Sequence, residues 1–338
     1  MIQTVDLHNA QALDAFVAAH PNGHFMQTSA WGRVKADWDW LGLIAREADG
    51  TILGTIAILK RKLRFGRSCL LYAPRGPVCD HGDKKTFCEL LTAAKTLAKD
   101  CGAYALRIDP PVREENAEFY SFVTQLGFSC NQATDFSLYQ PRMCYLLDLK
   151  GHSAESLLAS YHKSARYHVH LALRNDVTVR IGGAENLPAF HDMMAQTARK
   201  NGFEAPKHAH LQTLLAYTNT KIYIAEHLGA PIAATVMLVC GKQASFLYGC
   251  SYTETLHLHP NELLQYAMHC DALDMGCECF DFRGVEGYPT PENPKFGLHR
   301  YKQGFGAGFT AYVGQLDLIF KPKTAKLLQL YASLRARK

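Results

Sequence analysis

The chain lacks any apolar run near the ~20 residues that a membrane-spanning helix needs, so no crossing of a bilayer is expected. Its first residues, "MIQTVDLHNAQALDAF", have neither a basic leader nor an apolar signal core, and nothing in them marks the chain for export. Low-complexity segments are missing too. Metal-ligand spacing is nowhere complete. His168 and His170, like His257 and His259, stand two apart without a third convergent ligand, and Cys277 and Cys279 alternate along a strand. No zinc site, and no metal, is expected from them. No Ser-His-Asp or Cys-His pattern announces a covalent nucleophile. Excess charge is scarce as well: 36 Lys and Arg against 31 acidic residues leave +5. That suits an anionic ligand but is less basic than many nucleic-acid binders.

What is present is ordinary globular composition: 338 residues, 48% hydrophobic, enough for roughly two domains. The eleven cysteines are odd in number and scattered through apolar stretches such as "MLVCG", where they read as small buried hydrophobes. A reducing compartment, the cytoplasm, is expected.

One unit is written twice. "LIAREADGTILGTIAIL" (Leu43 to Leu59) and "IYIAEHLGAPIAATVML" (Ile222 to Leu238) each read as a β-hairpin: apolar strand, polar turn with Gly, then a strand of small and β-branched residues. A further strand follows each, "SCLLYAPRG" and "ASFLYGCS", then a helix, "FCELLTAAKTLAKDCG" and "PNELLQYAMHCDALDMG". Pro260 at a helix entry and Gly276 beyond its end are fitting punctuation. Short strands, "AYALRIDPP" and "CFDFRGV", close the units. The order predicts an α/β (α+β) fold of two similar lobes with mixed sheets. The boundary is placed near Lys150, giving lobes 1–150 and 151–338, with a long helix from about Ser153 through "YHKSARYHVHLALR".

Near the C-terminus, Gln303 to Gly308 spell Q-x-x-G-x-G, a spacing that acetyltransferases use around the pyrophosphate of coenzyme A. Such a loop works when it follows a strand and opens a helix, so that freed N–H groups meet the phosphates. Here the order is reversed. "NPKFGLHRYKQGF" reads as a helix ending at Gly304 and "FTAYVGQLDLIF" as the strand after it, so the glycines fit a helix exit rather than a phosphate cradle.

The run "FDFRGVEGYPTPENPKFGLHRYKQGFGAGFTAYVGQLDLIFKP", with "HFMQTSAWGRVK", "YAPRGPV" and "TARKNGF", resembles the Fem (FemABX) family of peptidoglycan aminoacyltransferases over nearly the whole chain. The resemblance implies two tandem acetyltransferase-like (GNAT-like) lobes. With no heptad segment interrupting the chain, it implies a version without the coiled-coil arm that some members carry. It implies transfer of an amino acid from aminoacyl-tRNA to the stem peptide of a UDP-linked or lipid-linked muropeptide, with no other cofactor. The amine would attack the ester directly.

Residue by residue, Lys302 matches the lysine placed where the ester carbonyl is attacked, and a fixed charge in a dry site stabilises an oxyanion. Tyr301 occupies the preceding aromatic position. Lys35 and Arg199 match positions that grip the precursor's phosphates. Arg75, between Pro74 and Gly76, sits in a stiff turn able to aim a guanidinium, and Tyr248 matches a tyrosine on the acceptor. Asp109 is the candidate general base, whereas Asp281 ties down its own turn. Lys163, Arg166, His170 and Arg174 form one basic helix face able to meet tRNA phosphates. "KPKTAKLLQLYASLRARK" is an amphipathic basic end with possible peripheral contact to the inner membrane surface. Two other readings stay open: an acyl-CoA-dependent N-acyltransferase, and a non-catalytic tandem-repeat protein that binds RNA or the precursor.

Overall fold

The computed structural model describes residues 1–63 and 68–336, with side chains to residue 331. The basic end of the chain, through Arg337 and Lys338, therefore lies partly outside the described residues. Two compact units emerge, Met1–Arg142 with Ala311–Lys338, and Met143–Thr310.

The first unit begins with β1 (Ile2–Val5), α1 (Gln11–Ala19), α2 (Ser29–Val34), β2 (Asp39–Arg46), β3 (Ile52–Lys62) and β4 (Cys69–Ala73). It continues with β5 (Val78–Cys79), α3 (Lys84–Asp100), β6 (Ala103–Ile108), α4 (Ala117–Gln125) and β7 (Ser129–Asn131). The second holds β8 (Met143–Asp148), α5 (Ala154–Ser160), α6 (Lys163–Arg174), β9 (Val177–Gly182), α7 (Leu187–Asn201), α8 (His208–Tyr217) and β10 (Asn219–His227). After these come β11 (Ala230–Cys240), β12 (Gln243–Ser251), α9 (Pro260–Asp274), β13 (Cys279–Gly284), α10 (Phe296–Gly304) and β14 (Gly308–Ala311). The chain finishes with β15 (Gln315–Ile319) and α11 (Pro322–Ala336).

The duplicated hairpins are β2–β3 and β10–β11, both antiparallel. Each unit then makes one parallel pair, β4 with β6 and β12 with β13, joined through a helix. Those helices form because their apolar residues recur at helical spacing. Phe87, Leu90, Leu91, Ala94 and Ala98 line the buried face of α3, and Leu263, Leu264, Met268 and Ala272 that of α9. Burying one such leucine contributes ~1.5–3 kcal/mol. Asp83 caps α3 by accepting the Thr86 N–H, while Pro260 opens α9 and Gly276 follows it at φ 74°.

Three expectations need correction. The division falls at Arg142 and Met143, and the C-terminal segment does not belong with the second lobe. The sheet orders explain this: β1-β2-β3-β4-β6-β15-β7 in the first unit and β9-β10-β11-β12-β13-β8-β14 in the second. The strand after β7 joins the second sheet, and the strand after β14 returns to the first, at the matching position. Next, "FTAYVGQLDLIF" is two strands, parted at Gly314, whose φ of 99° breaks the extension. A Cβ there would collide with the Asn131 carbonyl oxygen. Finally, the long helix after Ser153 is two helices. Ser153 caps α5, the chain becomes extended at Tyr161, and His162 caps α6 anew.

Candidate active site

The parallel pair of the second unit stays hydrogen-bonded only from Gln243–Cys279 to Ser245–Asp281. Beyond that point β12 runs on with β11 alone, to Ser251. β13 meanwhile bulges between Asp281 and Gly284. A bulge leaves carbonyls without ladder partners, and buried ones must be satisfied by something else. That partner is Lys302. It projects from the last turn of α10, is 5% exposed, and its Nζ donates to the carbonyl oxygens of Phe282 (2.8 Å), Arg283 (3.0 Å) and Gly284 (2.9 Å). All three ammonium protons are thereby engaged. Burial lowers its pKa to about 8, partly opposed by the Asp281 carboxylate.

Asp281 does tie down its turn: Oδ1 accepts the N–H of Arg283 at 2.6 Å and holds that residue left-handed at φ 61°. Tyr248, on the part of β12 that has left β13, bonds His210 Nε2 through its hydroxyl at 3.2 Å. Burial raises the pKa of Tyr248, with the nearby Arg283 guanidinium pulling the other way. It lines a cleft of about 370 Å³ with Phe203, Pro206 and Phe246. Arg199, in the last turn of α7, is exposed, with Nε donating to Ala195 at 3.3 Å. On α6, Lys163, His170 and Arg174 are exposed, whereas Arg166 turns back to the Ala159 carbonyl.

Tyr301 lies beside Lys302 on α10 but faces a second cleft, of about 410 Å³, lined also by His162, His168, Glu262, Arg300 and Gln303. Burial, then the Glu262 carboxylate, push its phenol well above the ordinary tyrosine range. Gly304 ends the helix and Gly306 turns left-handed at φ 81°, so the Q-x-x-G-x-G run is a helix exit, as its order in the sequence implies. His299 had drawn no role from the sequence. It is fully buried between the Tyr145 hydroxyl (3.0 Å) and the Glu286 carbonyl (3.0 Å), and pins the loop that leads into α10.

In the first unit Asp109 is buried, with Oδ2 accepting from the Tyr72 hydroxyl (2.7 Å) and Oδ1 from the Arg75 N–H (2.5 Å). Burial raises its pKa against the pull of Arg75. Arg75 is left-handed at φ 57°, as a stiff turn suggests, but its guanidinium points inward. It donates to the Pro141 carbonyl at 2.7 Å and lies over the Tyr312 ring at 4.9 Å. Asp109 thereby holds the turn at Arg75. Lys35, the C-cap of α2, sets its ammonium over the Trp31 ring at 4.9 Å, and burial lowers its pKa.

A model of the FemAB family matches residues 9–226 and 206–333. The chain belongs to the FemAB family. Among relatives of this FemAB protein is the lipid II:glycine glycyltransferase of Staphylococcus saprophyticus, 25% identical over 397 positions, covering 97% of this chain and 95% of the relative. That of Staphylococcus aureus (strain bovine RF122 / ET3-1) is 26% identical over 394 positions, covering 94% and 93%. These alignments exceed the 338 residues of this chain, so the relatives carry segments that it lacks. A crystal structure of FemX superimposes with a TM-score of 0.89 at 22% identity, covering 97% of this chain and 99% of that one. A tandem GNAT protein of the clavulanic acid pathway gives 0.54 at 10%, covering 94% and 98%. The two units are thus tandem GNAT-like lobes, and the FemAB protein is an aminoacyltransferase.

Proposed function

We propose that this FemAB protein transfers an amino acid from aminoacyl-tRNA to the stem peptide of a lipid-linked peptidoglycan precursor. The observation that carries the reading is the end-to-end match to glycyltransferases named for lipid II and glycine, across 97% of this chain and 95% of the relative. In the reaction, an acceptor amine, the side chain of the stem's diamino acid, attacks the ester carbonyl. A C–N bond forms, the ester C–O bond breaks, the ribose oxygen leaves with a proton, and the amine gives one up.

The open end of the β12–β13 pair suits this chemistry. Lys302 brings a desolvated positive charge to the end of β13, and with its protons committed to three carbonyls it acts on an oxyanion through its field and through the shape it imposes on that strand. Tyr248 would contact the acceptor in the neighbouring cleft. Arg199 would meet its phosphates, and the exposed face of α6 the tRNA. No helix among the described residues is long and apolar enough to cross a membrane. Contact with the lipid-linked acceptor would instead use α11, which exposes Leu327 beside Lys323 and Lys326.

An acyl-CoA donor fits less well. The N-terminal ends of α3 and α9, where a GNAT-type diphosphate would dock, already hold carboxylates: the N-cap Asp83 bonded to Thr86 N–H at one, Glu262 in the first turn of the other. Incubation with charged tRNA and either a lipid-linked or a nucleotide-linked muropeptide, followed by mass spectrometry, tests the reading. A mass gain of one amino-acid residue is expected. None with any charged tRNA on either acceptor sinks it.

A further inference from the structure

His168 and His259 each lacked a third ligand in the sequence; the fold supplies one. His168 comes from α6, His259 stands immediately before Pro260 at the start of α9, and Glu262 lies in the first turn of that helix. Glu262 Oε1 is 3.4 Å from His168 Nδ1 and 3.8 Å from His259 Nδ1, and one ligand atom from each residue falls within 4.8 Å of the others. Ligands about 2.0–2.2 Å from a tetrahedral zinc ion stand roughly 3.3 Å apart, so little movement separates this group from a ligand set.

A second observation points the same way. His259 is left-handed, φ 55° and ψ 42°, a conformation that costs a non-glycine residue ~1–2 kcal/mol and persists where something is gained by it. What it achieves here is to bring an imidazole against His168. The rings stack with centroids 3.9 Å apart and 9° between planes, and all three side chains are only partly buried, those of His168 and Glu262 lining the 410 Å³ cleft. Parallel rings place their lone pairs in parallel planes, so one ring must turn for both to meet one ion. The histidine χ2 torsion is soft enough to allow it.

We propose that His168, His259 and Glu262 form a binding site for a divalent transition metal ion of the zinc type. Two imidazoles and one carboxylate are a set that leaves the fourth position open, here toward the cleft lined by Arg300 and Gln303. The ion ties α6 to α9.

The test uses the full chain, stripped with chelator, then titrated with Zn²⁺ by calorimetry and measured by X-ray absorption at one equivalent. One tight equivalent is expected, with two imidazole nitrogens at about 2.0 Å in the zinc spectrum. His168→Ala and the near-isosteric Glu262→Gln should each weaken binding by at least ~100-fold, the upper end of what loss of a mere outer-shell partner costs. His170→Ala, on the exposed side of the same helix, should bind as wild type. A zinc spectrum with fewer than two imidazoles, binding unchanged in either ligand variant, or an equal loss in His170→Ala overturns the site.

Discussion

In the first unit Asp109 accepts the amide N–H of Arg75; in the second Asp281 accepts that of Arg283, and both arginines are left-handed. In each, a buried carboxylate offsets the cost of that backbone conformation. The placements differ. Arg75 follows β4 and Asp109 follows β6, so their contact clamps two parallel strands whose pairing continues to Ala73–Ile108. Arg283 and Asp281 share one strand, so nothing in their contact holds β12, and its pairing with β13 stops at Ser245–Asp281. The same chemistry closes one sheet end and leaves the other open. Only the open one receives a buried lysine among the described residues. On the proposed reading, the difference sets the chemistry in the second unit.

Lys302→Met is the strongest way to break that assignment. Turnover should fall by ~10²–10³-fold, as when an oxyanion-stabilising group is removed. Acceptor affinity should hardly move, with the folded fraction checked by thermal unfolding. Asp109→Asn should lower stability by ~1–3 kcal/mol through its disturbed bonds to Tyr72 and Arg75, with turnover per folded molecule little changed. Equal losses of turnover in the two variants would place chemistry in both units.

The pH dependence of Lys302 sharpens the same point. Burial lowers its pKa from 10.5 to about 8, so between these values the unfolded chain binds more protons than the folded one. Stability from this group therefore rises with pH across that window. Wild type should gain up to ~3 kcal/mol of stability relative to Lys302→Met from pH 8 to 10.5. Activity should fall over the same range as the ammonium is lost. Parallel rise or parallel fall would contradict the role given to the charge. A smaller effect is due at the link between β14 and β15. Gly314→Ala at φ 99°, facing the Asn131 carbonyl, should cost ~1–3 kcal/mol in thermal unfolding.

Much of this was legible because it is local. Hairpin turns, the Pro260 and Gly276 boundaries, the Ser153 cap and the helix exit at Gly304 depend on neighbours within a few residues, and the sequence carries them. The destination of β8 and β15 was not, because a strand's alternation says which face is buried but not which sheet it joins. For the same reason the convergence of His168 with His259 and Glu262 was invisible, since it needs α6 packed on α9. Arg75 shows a mixed case. The Pro-Arg-Gly-Pro turn signals a constrained backbone, but the inward aim of its side chain depends on Pro141 and Tyr312, far along the chain.

The smallest expected effect probes the open end directly. Tyr248 is bonded to His210 from a strand that β13 has already left, and its ring lines a cleft, so removing the hydroxyl disturbs no clamp between strands. Tyr248→Phe should leave kcat near wild type and raise the acceptor KM by roughly 2- to 10-fold, the equivalent of one hydrogen bond. A drop in kcat with KM unchanged would mean that the hydroxyl acts at the reacting carbonyl, moving Tyr248 from acceptor binding to chemistry and extending the catalytic end of the second unit across to β12.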